Sequence, residues 1–509
     1  MERGYRGPRR PGGGGGGGGP SRQGGGGGGP SRQGGGGGGG GGYGRSAGGG
    51  GGGRRRRGGG GGGGQRRSSG PPRGDYRGPR GDYGPQRQGP PQGYPEDQGY
   101  RDDRGYRDEG GYRDEGQGPP RPRDDGQYGD QGPMPPRERP APVEPTAVSG
   151  IIDMHREGYG FLRSLTRYLC ASPDDVFVSR TIVGRYGIRN GSQIEGMAEP
   201  RRDGRSLAVF DVKSINGRPP DDQRDLPHYR DLTSIKPGPR FTLEEEGDMS
   251  LRVMDLFTPV GRGQRALIVA PPRTGKTVLI QKMANSIIKH HPDCHVIMLL
   301  VDERPEEVTD MKRTVPAEVL ASSMDQDAAA HVKLVSLALE RARRLVEAKK
   351  DVVLFLDSLT RMARAYNREG YGVGRTTTGG LEVGALDKPR EFFGAARKCE
   401  QGGSLTIIAT CLIETGSRMD DIIFQEFKGT GNMELFLERK LADRRVFPAF
   451  DLSRSGTRDE EKLLPPDWVS QIIRVRRALS GMDVVEQMER LLPEMAKTKV
   501  NSEFLARYR

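Results

Sequence analysis

Ala270-Pro271-Pro272-Arg273-Thr274-Gly275-Lys276-Thr277 is the stretch on which the reading of this chain turns. It follows the apolar run Ala266 to Ala270 and leads into Val278-Leu279-Ile280-Gln281-Lys282-Met283, whose pattern predicts a helix. A strand, a turn carrying Gly-Lys-Thr and then a helix is the setting of a phosphate-binding loop. Such a loop needs backbone N–H groups converging on a helix N-terminus, a lysine for the β- and γ-phosphates and a hydroxyl for Mg²⁺. Gly275, Lys276 and Thr277 supply these, while Ala270 stands where the usual pattern has its first glycine.

Two more strand patterns extend the site. Val352-Val353-Leu354-Phe355-Leu356 ends in Asp357, and Mg²⁺ held by Thr277 needs a carboxylate delivered in this way. The run Val296 to Val301 ends in Asp302-Glu303-Arg304. If that strand lies beside the one before the phosphate loop, Glu303 can activate water against a γ-phosphate, with Asp302 its rival as the base. The plainer reading of Glu303 is a helix-start carboxylate favoured by the dipole. A glutamate between the two phosphate-site motifs is the disposition of RecA-like ATPases.

Outward from these motifs, strands and helices alternate. Strands are predicted at Arg265 to Ala270, His295 to Asp302, Glu318 to Ser322, Asp351 to Leu356 and Ser404 to Leu412. Helices are predicted at Thr277 to Lys289, Pro305 to Arg313, Ala328 to Lys349, Leu359 to Asn367 and Glu391 to Glu400. The alternation implies an α/β domain over 241–509, with a largely parallel sheet covered on both faces and its site at the carboxyl ends of the strands.

Before it the texture differs. Residues 147–217 show five short strand patterns, Val148 to His155, Tyr159 to Ser164, Val176 to Ser179, Gln193 to Met197 and Leu207 to Ile215, which suit a small all-β barrel of the OB type. Gly158-Tyr159-Gly160-Phe161-Leu162-Arg163 resembles the aromatic strand of cold-shock domains. Alternation puts Tyr159 and Phe161 on one face, with Arg163 alongside and Phe177 on a later strand, as stacking platforms for single-stranded RNA. The competing reading makes these rings barrel core. The proline-rich 218–240 reads as a linker.

Residues 1–146 read as a disordered Gly/Arg-rich tail. Of the 83 glycines, 56 lie in the first 150 residues, too little apolar surface to offset the entropy of ordering. The first 90 residues carry 17 arginines against 3 acids, so most of the net charge of +13 sits there, either as an RNA-binding arm or as a tether. Four scattered cysteines carry no disulfide or zinc pattern, and no apolar run reaches membrane-spanning length. The expected location is the cytoplasm.

The order of Gly-Tyr-Gly-Phe-Leu-Arg, Gly261-Arg262-Gly263-Gln264-Arg265, Ala-Pro-Pro-Arg-Thr-Gly-Lys-Thr, Asp302-Glu303-Arg304-Pro305-Glu306-Glu307, Asp357-Ser358-Leu359-Thr360-Arg361, Phe427-Lys428-Gly429-Thr430-Gly431-Asn432 and Arg454-Ser455-Gly456-Thr457-Arg458 resembles the Rho family of bacterial transcription termination factors. The resemblance covers residues 148–509, and the alanine in the first loop position fits it. It implies a homohexameric RNA helicase that hydrolyses ATP with Mg²⁺, pulls single-stranded RNA 5′ to 3′ and displaces the transcript from RNA polymerase. On that resemblance Gly261, Arg262, Gly263, Gln264, Arg265 and Ala266 wrap the nucleotide together with Arg273, Thr274, Gly275, Lys276, Thr277 and Val278. Arg304 lies close by and Phe447 stacks on adenine. Lys276 serves the phosphates, Glu303 is the base and Asp357 the Mg²⁺ partner. Arg458, with Arg445 as a second candidate, reaches a neighbour's γ-phosphate. Arg375, in the glycine-rich stretch Asn367 to Gly380, and Arg418, in Thr415 to Met419, are candidates to grip RNA in the ring centre. The chain departs from the family in having no helical pattern before Val148 and no aromatic in Gly204-Arg205-Ser206-Leu207.

Overall fold

The computed structural model describes residues 145–201, 206–370, 374 and 379–508. The Gly/Arg-rich tail and Arg375 therefore lie outside the described residues.

Five strands, β1 (Thr146–Met154), β2 (Gly160–Arg163), β3 (Val176–Val178), β4 (Gln193–Pro200) and β5 (Leu207–Ile215), close into a barrel in the order β1-β2-β3-β5-β4. Its interior is aliphatic, built on Ile152, Leu162, Val178, Ile194, Val209 and Val212. A short helix α1 (Arg180–Tyr186), absent from the sequence reading, connects β3 to β4. Ser179 caps it at one end, and Gly187, at φ 62°, ends it at the other.

Residues 218–240 are anchored as well as connecting. Tyr229 is 2 % exposed, its amide bonded to Glu347 at 2.7 Å and its hydroxyl to the Ala395 carbonyl. Beyond it, β6 (Ser234–Ile235) adds to the main sheet and α2 (Met249–Phe257) packs into the core.

The α/β domain then runs β7 (Arg265–Ala270), α3 (Lys276–His290), β8 (His295–Glu303), α4 (Pro305–Thr314), β9 (Glu318–Ser323), α5 (Ala328–Glu347), β10 (Asp351–Asp357), α6 (Leu359–Arg368), α7 (Asp387–Gly394), β11 (Arg397–Cys399), β12 (Ser404–Leu412), α8 (Arg418–Phe427), β13 (Met433–Leu437), α9 (Arg439–Asp443), β14 (Phe450–Thr457) and helices α10 (Pro466–Leu479), α11 (Val484–Ala496) and α12 (Asn501–Ala506). The sheet order is β14-β13-β7-β12-β10-β8-β9, parallel from β13 to β9 with β14 antiparallel at the edge. Alternate residues of each strand feed two cores. Ile268, Met298 and Phe355 face one, and Val269, Leu299 and Leu356 face the other.

Two expectations are corrected. The predicted helix Glu391 to Glu400 stops at Gly394. Arg397–Cys399 forms a strand that turns back antiparallel onto β12 through Glu400-Gln401-Gly402-Gly403, where Gly402 and Gly403 have φ of 104° and 80°. The strand of Val296 to Val301 is not beside the phosphate-loop strand, because β12 and β10 stand between β7 and β8.

Barrel and sheet are clamped by buried ions. Arg189 pairs with Glu347 at 3.0 Å, Arg344 reaches the same carboxylate at 2.7 Å, and Arg341 donates to Gln193 at 2.9 Å.

Candidate nucleotide and RNA sites

The phosphate loop follows the carboxyl end of β7, and α3 starts at Lys276. Gly275 takes φ 87°, a conformation that costs an L side chain, and its α-carbon faces the Phe447 ring, where an added Cβ would sit 3.7 Å away. Thr274 is buried, its hydroxyl tied to the Pro271 carbonyl at 2.8 Å. The loop thus keeps its backbone N–H groups at a helix start, where anions are favoured.

Lys276 spans the sheet end to pair with Asp357 at the tip of β10. Asp357 is 2 % exposed and also accepts the Thr410 hydroxyl at 2.8 Å. Glu303, at the tip of β8, is buried too. Burial, with the neighbouring Asp357, pushes its carboxyl up to about 7, while Lys276 and Arg361 pull the other way. A base held near neutrality suits proton abstraction from water.

An irregularity in β8 sends the side chains of Asp302 and Glu303 in different directions, though Arg361 lies within 3.6 Å of both. The register with β9 shifts between Val301 and Glu303, and Asp302 takes φ 55°. A bulge re-aims side chains. Asp302 turns to Arg361 at 3.3 Å and His331 at 3.8 Å, whereas Glu303 feels Lys276 and Asp357. Long side chains therefore close the gap that β12 and β10 open between β7 and β8.

Beside the loop lies a pocket lined by Thr274, Gly275, Val278, Leu437, Phe447 and Phe450. Val278 and Phe447 are 54 % and 48 % exposed, an apolar pair able to cover a flat base. Arg273 is exposed within the loop, and Arg304 just past the end of β8. One buried carboxylate, the half-buried Thr277 and the incoming phosphates suffice for Mg²⁺, which takes few protein ligands.

On the barrel, Tyr159, Phe161 and Phe177 form one half-buried cluster, with ring centroids 5.5 to 5.8 Å apart, outside the aliphatic core. Phe161 and Phe177 are cross-strand partners. His155 stacks on Tyr159 at 4.6 Å, and the Arg201 guanidinium lies 4.5 Å from the Phe177 centroid.

Two family descriptions match the chain: "Rho termination factor, RNA-binding domain" over residues 148–221 and "ATP synthase alpha/beta family, nucleotide-binding domain" over 250–457. Transcription termination factor Rho of Aquifex aeolicus is 49 % identical over 364 residues, which cover 70 % of this chain and 84 % of that protein. The namesake of Escherichia coli K12 is 47 % identical over 360 residues, covering 70 % and 86 %. The chain belongs to the Rho family of transcription termination factors. It therefore joins a Rho-type RNA-binding barrel to a RecA-like P-loop ATPase domain.

Several residues carried over from the Rho family lie away from the phosphate loop of their own chain or are held by other side chains. Gly261, Arg262, Gly263, Gln264, Arg265 and Ala266 lead into β7 at its amino end, away from the phosphate loop of the same chain. Their partners are structural. Arg262 pairs with Asp293 at 2.8 Å and with Asp351, Gln264 bonds the Asn432 carbonyl at 3.0 Å, and Arg265 bonds the Thr430 carbonyl at 3.2 Å. Gly263 takes φ 89°, and a Cβ there would meet the Lys398 nitrogen at 2.4 Å. Arg163 is 7 % exposed, its guanidinium occupied by Asp153 at 2.6 Å and by Asp175. Alternation sets it on the aromatic side, but its end of the strand meets Val332 and Lys333 of α5 around one cavity, and its guanidinium is held by the two carboxylates.

Arg445 and Arg458 lie at opposite ends of the β13–β14 pair. Arg445 is exposed two residues from Phe447, beside that pocket; Arg458 follows β14, where its amide bonds the Asn432 carbonyl at 2.9 Å and its guanidinium the Gly429 carbonyl at 3.4 Å. Arg418 opens α8 in an exposed turn, and Gly379 of the glycine-rich stretch packs against it. Gly204 and Arg205 lie outside the described residues. His290, His291 and His295 are engaged by Glu245, the Thr242 amide and Glu318. The sequence reading missed Thr410, Arg361 and Arg201. Only Arg361 carried a signal, being part of the Asp-Ser-Leu-Thr-Arg motif.

Proposed function

We propose that the chain is an RNA-dependent ATPase and 5′-to-3′ RNA translocase and helicase, working as a cytoplasmic homohexamer that strips the nascent transcript from RNA polymerase. The observation that supports it best is the half-buried Lys276 between the buried carboxylates Asp357 and Glu303, on a chain whose barrel also carries the Tyr159, Phe161 and Phe177 cluster. ATP bound with Mg²⁺ would bring the reacting phosphates and the charge that offsets their oxygens. Thr277 and Asp357 would hold the ion, and Lys276 would leave Asp357 for the phosphates. Val278 and Phe447 would cover the base, with Arg273 and Arg304 at its charged rim. Glu303 would take the proton of the attacking water at its carboxylate. Arg458, exposed and far from its own loop, would serve a neighbour's site, while Arg445 belongs beside its own pocket.

Single-stranded RNA would stack on the aromatic cluster and be gripped by Arg418, with Arg375 as the second candidate. Measuring ATP turnover with and without poly(C) or natural transcripts tests the reading. The expected result is strong stimulation; turnover that ignores RNA would overturn it. Unwinding of a duplex with a 5′ single-stranded tail tests the direction of travel.

A further inference from the structure

We propose that Thr410 is a positioning residue of the phosphate site, whose hydroxyl keeps the Asp357 carboxylate oriented once Lys276 has moved to the phosphates. This rests on the reading of Asp357 as the Mg²⁺ partner.

Thr410 lies near the end of β12, the strand between β7 and β10. Leu356 is paired with Ala409, so the next residue on each strand brings Thr410 alongside Asp357. Thr410 is fully buried, and its Oγ1 is 2.8 Å from Asp357 Oδ1 and 3.4 Å from the Leu356 carbonyl. A hydroxyl has one proton to donate, and it goes to the nearer, charged acceptor.

Among the described residues, the side chains that bond Asp357 are Lys276 and Thr410. They differ in kind. Lys276 is a long flexible ammonium that cannot hold Asp357 and grip phosphate at the same place. Thr410 is β-branched, confined to few rotamers, and fixed in the centre of a sheet. When the lysine leaves, a carboxylate 2 % exposed would otherwise lose its only side-chain donor, a costly state for a buried charge. The threonine remains. It keeps Oδ1 occupied, so the carboxylate meets the ion in one orientation and pays no reorganisation on binding.

The test is binding of a fluorescent, non-hydrolysable ATP analogue to the full-length chain, in Mg²⁺ and in EDTA. Thr410→Val keeps the shape and removes the hydroxyl; Thr410→Ser keeps the hydroxyl. The valine variant is expected to lose about tenfold or more in affinity with Mg²⁺ and almost nothing in EDTA, with serine restoring the Mg²⁺ value. Unchanged affinity with Mg²⁺, or an equal loss in both buffers, would overturn the proposal, the second outcome marking a packing role only. If valine does not fold, Thr410→Ala takes its place with the same outcomes. Asp357→Asn, measured alongside, separates the two readings. If it keeps the gain in affinity from Mg²⁺, the metal role of Asp357 fails; if it loses that gain while Thr410→Val keeps it, only the role of Thr410 fails.

Discussion

Glu303 shows what a single side chain owes to its surroundings. Its carboxyl sits near 7 because the folded chain buries it next to Asp357. Two consequences follow at this scale. Glu303→Gln should bind ATP nearly as well as the parent while turnover falls by roughly 10²-fold or more, read by comparing nucleotide affinity with kcat. In the parent, kcat/KM should rise with pH up to a limb near 7, since the base works only when deprotonated. Stability runs the opposite way. The folded pKa lies above the unfolded value of 4.5, so the contribution is fully present below 4.5 and is lost as pH rises through about 7. The glutamine variant cannot ionise. It should melt at a higher temperature than the parent at about pH 8, the gap closing toward pH 4.5.

At the scale of elements, the barrel separates two readings of one strand. Phe161 and Phe177 lie outside the aliphatic core, so either alanine variant should fold normally and weaken RNA binding by ~1–3 kcal/mol per lost stack, measured by fluorescence anisotropy on single-stranded RNA. Arg163→Ala should do the reverse. It leaves the buried Asp175 without its cation, while Asp153 keeps Lys333 at 2.9 Å, so melting should drop by the equivalent of ~3 kcal/mol while the salt dependence of RNA binding holds. Nothing local distinguishes the two in Gly-Tyr-Gly-Phe-Leu-Arg. Phe161 and Arg163 share a face by alternation, and only the partners that come from β1, the loop before β3 and α5 show that one is buried and the other is not.

The same limit explains the rest. β7 and β12 are legible residue by residue, because each is a short run dominated by aliphatic and β-branched residues, entered from Gln264 in one case and from Gly402-Gly403 in the other. The hairpin at Gly402-Gly403 and the helix between Ser179 and Gly187 had their punctuation in the sequence and were overlooked. The bulge at Asp302 had none. Which of two adjacent acids turns toward Lys276 and Asp357 is decided by register against β9, a long-range property, and Thr410 meets Asp357 only because β12 lies between β7 and β10.

For the whole molecule, the finger role proposed for Arg458 would make oligomerisation a chemical requirement. The arginine emerges at the amino edge of the sheet and the phosphate loop at the carboxyl edge, so one chain cannot bring its own Arg458 to its own loop. Arg458→Ala should therefore assemble normally by light scattering and bind ATP, yet lose roughly 10³-fold or more in turnover. Adding such subunits to wild-type rings should poison turnover beyond their share. Normal turnover in the pure variant would remove the finger assignment. Barrel and ATPase domain act as one body in this scheme, because Glu347 shares its charge between Arg189 of the barrel side and Arg344 of α5.

β14 runs between those two edges. Phe450, at its start, lines the pocket beside the phosphate loop of its own chain, and Thr457, at its end, leads straight into Arg458. If Arg458 serves a neighbour as proposed, the length of β14 is a ruler between two active sites. Inserting two residues would preserve which side chains face the core yet advance the arginine by about 7 Å, and inserting one would turn the strand inside out. The outermost strand of the sheet should tolerate substitution on its solvent side and almost no change in length.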